Sequence, residues 1–116
     1  MINIERALIE WLNGHPVDGL KATLDVPKDR PQRFITVERV GGPTGTYVDR
    51  PLVSIQVWGK TRADASGAAI AVRDALVQFA VDTPSVGGVS VQSLINNPDP
   101  DSGQARYQLT VSFVTV

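Results

Sequence analysis

The chain has 116 residues and a mass of 12.5 kDa, the usual size of one domain with one hydrophobic core. Hydrophobic residues make up 42% and charged residues 20% of it, a globular composition outside the disordered and membrane classes. The net charge of -1 lacks the positive excess of a protein that mainly binds nucleic acid. The absence of cysteine excludes disulfides, thiolate metal sites and cysteine nucleophiles.

The N-terminal segment predicts a short amphipathic helix rather than an export signal. Asn3 is a suitable N-cap, apolar residues follow at helical spacing, and Asn13 with Gly14 supplies the stop. Charged residues stand where a signal peptide would carry its apolar stretch, which favours an intracellular product. Residues 20–26 then alternate weakly and predict an edge strand that ends at the prolines of segment 27–31.

Two alternating segments predict a long β-hairpin. Residues 33–40 place Ile35 and Val37 on one side, and residues 52–58 place Val53, Ile55 and Val57 on one side in the same way. The intervening residues 41–51 are rich in glycine and proline and far exceed a two-residue turn, so they predict a long flexible arm.

The second half of the chain predicts one long helix followed by two strands. Thr61 is the expected N-cap, with Asp64 in the position of a capping box. The predicted buried stripe of this helix consists of Ala65, Ala69, Val72, Leu76 and Phe79. Thr83-Pro84 and Gly87-Gly88 are expected to end the helix, before a strand at about 89–95, a polar loop at 96–103 and a strand at 107–116.

These elements predict an α+β fold, a two-layer sandwich of about four to five mostly antiparallel strands against two helices. Residues 1–116 form one domain in this interpretation. The second face of the sheet is predicted to be polar but lightly charged, with residues Thr36, Glu38, Ser54, Gln56, Thr110 and Ser112. Trp58, Val114 and Val116 add apolar groups at matching positions. Such a face suits an interface or solvent equally well.

The titratable residues form no recognisable catalytic or metal site in the sequence. His15 is the single histidine and follows a helix stop, which favours a helix-exit role over catalysis. Asp99 and Asp101 are a close carboxylate pair with too few oxygen ligands for calcium, so a solvated turn is expected. We therefore predict no enzyme activity, no cofactor and no metal.

Three other motifs have ordinary explanations. Residues 59–61, Gly-Lys-Thr, are similar to the end of a phosphate-binding loop, but Ser54 stands where the first glycine of its cradle belongs. The glycine-rich segment 41–45 precedes no helix that could bind a phosphate. The basic residues Lys28, Arg30 and Arg33 lack interleaved aromatic residues, which favours a solvated loop over a partner contact.

The order of elements resembles that of bacteriophage tail-terminator and tail-completion proteins over nearly the whole chain. The shared features are the first helix, the strand that leads into a Gly/Pro arm, the returning strand 53–59 and the alanine-rich helix 63–80. The sharpest part is the strand that ends in Trp58 followed by residues 65–76, ASGAAIAVRDAL. This part is similar to the small-residue helix and the Val-Arg-x-Ala-Leu run common in that group.

The resemblance implies a structural virion protein. Such a subunit forms a hexameric ring on the last ring of tail tube protein, stops tube polymerisation and offers a docking surface to the head-tail connector or stopper protein. It implies no cofactor and no membrane, and DNA only as cargo that passes through the ring. The expected location is the head-proximal end of the virion tail, after assembly in the host cytoplasm.

In such a ring each subunit meets the next through two different patches. We expect Tyr47, Val48 and Arg50 of the arm to contribute, because aromatic residues and arginine are favoured anchors. Trp58, Val114 and Val116 are the expected contacts on the sheet. The alternatives are another head-tail neck component, such as a stopper or connector, or a cellular module that binds a protein or a small molecule.

Overall fold

The computed structural model describes residues 1–116 and contains two helices and one five-stranded sheet. The elements are α1 (Ile4–Gly14), β1 (Ala22–Thr23), β2 (Phe34–Gly41), β3 (Leu52–Trp58), α2 (Arg62–Asp82), β4 (Val86–Asn96) and β5 (Arg106–Thr115). The strand order is β1-β2-β3-β5-β4, and every pair is antiparallel except β1 with β2. This arrangement confirms the predicted α+β sandwich. Neither helix is long and apolar enough to cross a membrane.

Both helices begin at the predicted caps. The side chain of Asn3 accepts the backbone N–H of Arg6 at 3.2 Å, and Thr61 Oγ1 accepts the N–H of Asp64 at 3.1 Å. The Asp64 carboxylate in turn accepts the N–H of Lys60 at 2.9 Å, one residue before the expected capping-box donor. These bonds satisfy N–H groups that a helix start would otherwise leave unpaired.

Both helices pack on one face of the sheet. Apolar residues that alternate along β2, β3 and β5 are fully buried there, and the predicted inward residues Val53, Ile55 and Val57 are among them. Small residues allow α2 to approach closely: a Cβ on Gly59 would lie 2.6 Å from the backbone nitrogen of Ala65. The other face of the sheet carries no helix, and we call it the open face.

Two strand predictions need correction. The first edge strand contains only Ala22–Thr23, because the Asn13 side chain bonds both backbone groups of Ala22 and the chain then turns away. β4 begins at Val86, so Gly87 and Gly88 lie inside a strand and do not end the helix. Pairing of Gly88 with Val114 of β5 explains this difference, since tertiary pairing outweighs the weak strand preference of glycine.

Candidate interaction surface

The strand register brings most of the predicted contact residues together. A bridge between Asp49 and Thr115 extends the register in which Leu52 pairs with Ser112. In that register Arg50 lies opposite Val114, and Val48 lies opposite Val116. Tyr47 follows at the tip of the turn. We call this end of the open face the arm end; its residues are Tyr47, Val48, Arg50, Val114 and Val116.

The arm end is an exposed apolar surface. Tyr47 is 84% exposed, and Val48 and Val116 are also exposed, whereas Val114 is partly buried. Arg50 is exposed and takes part in none of the salt bridges of the chain. Val40, at the end of β2, is a further exposed apolar residue that the sequence interpretation missed, although it shares the alternation of Thr36 and Glu38. Adjacent exposed apolar residues of this kind are typical of interaction sites.

The arm is anchored and is not the flexible segment that its glycines predicted. Asp49 is 4% exposed, and its two carboxylate oxygens accept hydrogen bonds from Arg39 at 2.6 and 2.8 Å. These bonds hold the pKa of Asp49 below its usual range. Gly42 has a φ of +93°, and a Cβ there would clash with the carbonyl of Arg50. The tip is therefore presented by a fixed turn.

Trp58 does not belong to this surface. It lies at the opposite end of β3, is 3% exposed and stacks on Phe34 with ring centres 4.8 Å apart. The guanidinium groups of Arg30 and Arg106 lie 5.3 and 4.9 Å from the centre of its ring. A neighbouring chain could reach Trp58 only after these side chains had moved, so the expected direct contact by Trp58 finds no support in its position.

The loop with the paired aspartates also differs from its prediction. Asp99 is buried, whereas a solvated turn was expected. Its carboxylate accepts hydrogen bonds from Ser102 Oγ at 2.6 Å and from Arg30 at 3.1 Å. Chiefly through the bond from Ser102, its pKa falls to about 2. Asp99 also forms an ion pair with Arg106 at 3.8 Å, so it binds both arginines that cover Trp58. Arg30 thus belongs to a structural ion pair rather than to a freely solvated loop.

The middle of the open face is polar and ordered. Gln108 Oε1 accepts hydrogen bonds from Gln56 Nε2 at 3.0 Å and from Asn97 Nδ2 at 2.9 Å. Thr36 and Ser54 are buried between neighbouring side chains even though no helix covers them. Gln56 Oε1 is buried without a hydrogen-bond partner. A charged residue, Glu38, occurs only near the β2 end of this region, so the middle of the face is nearly neutral.

A second exposed apolar surface lies on the helix layer and was missed from the sequence. Ala63, Gly67, Ile70, Asp74, Val77 and Val81 are exposed and are spaced alternately by four and three residues, so they form one line along α2. This line, which we call the outer stripe, points away from the sheet. Val77 and Val81 are 64% and 71% exposed. The spacing alone could have revealed it, because a helix with apolar residues on two opposite sides commonly packs against other structures on both of those sides.

The remaining motifs serve the fold. His15 stacks on Trp11 with ring centres 4.6 Å apart, and its Nδ1 lies 3.0 Å from the carbonyl of Trp11 at the end of α1. The open pocket beside Gly59 and Lys60 measures about 220 Å³ and has no hydrophobic residue in its lining. No group of three or more histidine or acidic residues is placed to hold a metal ion.

No family model and no curated protein matches the chain.

Proposed function

We propose that the chain is a ring-forming structural subunit that caps the tail tube of a bacteriophage, ends its polymerisation and provides the surface for head docking. The arm end is the observation that carries this proposal. It presents an exposed tyrosine, exposed valines and an unpaired arginine on a turn that a buried ion pair holds in place. Because the turn is fixed, a neighbour can bind it without the entropy cost of first ordering it.

The open face supports the same function. It is a nearly neutral surface, mainly of serine, threonine and glutamine side chains with the exposed Ile95 beside Gln108, and neither helix covers it. Interfaces between subunits that also exist free in solution are no more apolar than ordinary protein surface. The open face could therefore meet tube or connector protein while the arm end meets a neighbouring subunit.

The structure gives less support to a small-molecule module. Ligand sites are concave, mostly apolar and enclose most of their ligand. The single pocket of this chain is open and lined by polar or charged residues and glycine or proline, namely Arg30, Pro31, Gln32, Gly59, Lys60 and Gln104. A protein-binding role remains the better match to the surfaces described above.

The proposal is tested by native mass spectrometry over a protein concentration series, with electron microscopy of any large species. A parallel sample is mixed with purified tail tubes and imaged at the tube ends. We expect a closed six-fold ring, either in free solution or at the end of each tube. A chain that stays monomeric at all concentrations and leaves tube ends bare would overturn the proposal.

A further inference from the structure

We infer that the outer stripe of α2 is the surface that receives the arm end of a neighbouring copy of this chain. The inference rests on the proposed ring and names its second patch. A ring requires each subunit to use two different, complementary surfaces, because contact between identical surfaces closes at a dimer. The arm end alone supplies only one of the two.

The positions of the two surfaces suit a head-to-tail contact. The arm end belongs to the open face of the sheet, whereas the outer stripe lies on the far side of the helix layer. One subunit can thus bind one neighbour through its arm end and another through its stripe, with no overlap between the two contacts. Both surfaces are exposed in the single chain, so neither has a partner within it.

The charges of the two surfaces are complementary. Arg50 at the arm end has no acidic partner within its own chain. Asp74 lies in the middle of the stripe and has only one ion pair, a 3.3 Å contact with its sequence neighbour Arg73 in which both side chains are largely exposed. Such an exposed pair contributes little to stability, so Asp74 remains available to a second arginine.

The side chains of the two surfaces also match in size. Gly67 lacks a side chain, and a Cβ at this position would face open space rather than another part of the chain. This gap, beside Ala63 and Ile70, offers room for a large side chain, and Tyr47 is the large side chain that protrudes most from the arm end. Ile70 lies between Gly67 and Asp74, as Val48 lies between Tyr47 and Arg50, so Ile70 supplies apolar area for Val48 and Val116. Val77 and Val81 extend the apolar area beyond Asp74.

A charge exchange tests the pairing. Arg50→Glu and Asp74→Arg should each weaken self-association at least about tenfold, and the double variant should recover most of the loss. Association is measured by sedimentation velocity over a concentration series and, if the free wild type is monomeric, by ring formation at the ends of tail tubes. Asp101→Arg, a matched change in an exposed loop residue at the opposite end of the sheet, serves as the control and should associate like the wild type. Failure of the double variant to recover overturns the pairing of these two residues.

A mixing experiment tests the head-to-tail geometry. Tyr47→Asp damages only the arm end and Val77→Asp only the stripe, so each variant alone should remain monomeric. A mixture has one intact surface of each kind and should form a one-to-one dimer and nothing larger. If the stripe instead pairs with itself, Tyr47→Asp associates normally and the mixture yields no such dimer, which overturns the inference.

Gly67→Leu provides a variant whose fold is not at risk. The added side chain meets no neighbour in the subunit, and leucine favours a helix more than glycine does. We expect an unchanged or higher melting temperature together with loss of association. A wild-type ring that Val77→Asp and Gly67→Leu leave intact overturns the inference but not the proposed function. A wild-type chain that never assembles, even on tail tubes, overturns both.

Discussion

The two ends of the open face carry similar residues but differ in what covers them. At one end Trp58 is almost fully buried, because Arg30 and Arg106 lie over its ring and Phe34 stacks beside it. At the arm end Tyr47, Val48 and Val116 have no such cover. An apolar residue on the outer side of a strand is therefore a candidate contact only where the chain itself leaves it uncovered.

The arm and the loop that contains Asp99 are each held in place by the same kind of ion pair. Each contains a buried aspartate that binds an arginine from another segment, Asp49 with Arg39 and Asp99 with Arg30. Both loops are thereby fixed, although the arm was predicted to be flexible and the Asp99 loop to be a solvated turn. The ends differ because the arginine at Asp99 also covers an aromatic ring, whereas the one at Asp49 only holds the turn.

The largest effect on stability is expected at Trp58, because neighbouring side chains cover its ring almost completely. Trp58→Ala should lower the free energy of unfolding by about 4 kcal/mol, because a buried ring is lost together with its stacking on Phe34. Urea unfolding followed by circular dichroism measures the change. Tyr47→Ala is the matched control and should shift the curve very little. Equal losses of unfolding free energy in the two variants would show that Trp58 is no better covered than Tyr47.

Loss of the arm anchor should have the next largest effect. Asp49→Ala leaves Arg39 without its partner and should lower the free energy of unfolding by about 3 kcal/mol. This value is at the low end for buried pairs because the Arg39 side chain is still partly exposed. The same urea experiment measures it, with the exposed Asp101→Ala as control. A change no greater than that of the control would show that the turn does not depend on this ion pair.

Low pH should destabilise the Trp58 end of the open face, because it protonates Asp99. Its pKa is about 2 in the fold, whereas an aspartate in an unfolded chain titrates near about 3.9. A carboxyl group with a lowered folded pKa stabilises the fold above the unfolded value, and this contribution disappears as the pH falls from about 4 toward 2. The melting temperature of the wild type should fall over that range, and that of Asp99→Asn should fall less steeply. Identical slopes would contradict the role of Asp99.

The smallest effect on stability is expected at the arm end. Tyr47→Ser should change the free energy of unfolding by less than about 0.5 kcal/mol, because the side chain is 84% exposed and packs on nothing. The same substitution should abolish self-association in sedimentation velocity. A large loss of stability would mean that Tyr47 supports the fold, and its effect on association could then not be assigned to a contact.

Local sequence patterns predicted the helices and strands of the two layers but not the side chains that cover Trp58. Alternation located β2, β3 and β5 within one or two residues, because one face of each strand is buried against the helices. The burial of Trp58 could not be predicted, since Arg30 and Arg106 come from segments distant in sequence. The anchors at Asp49 and Asp99 were missed for the same reason. The outer stripe could have been predicted from the spacing of its residues in the sequence.

In the proposed function the arm end joins copies of this chain into a ring. The most direct test compares the masses of the species formed by the wild type and by Tyr47→Asp, with and without tail tubes, in native mass spectrometry and electron microscopy. We predict a closed ring for the wild type and a folded monomer with an unchanged melting temperature for the variant. A variant that forms the same ring as the wild type would contradict this role of the arm end.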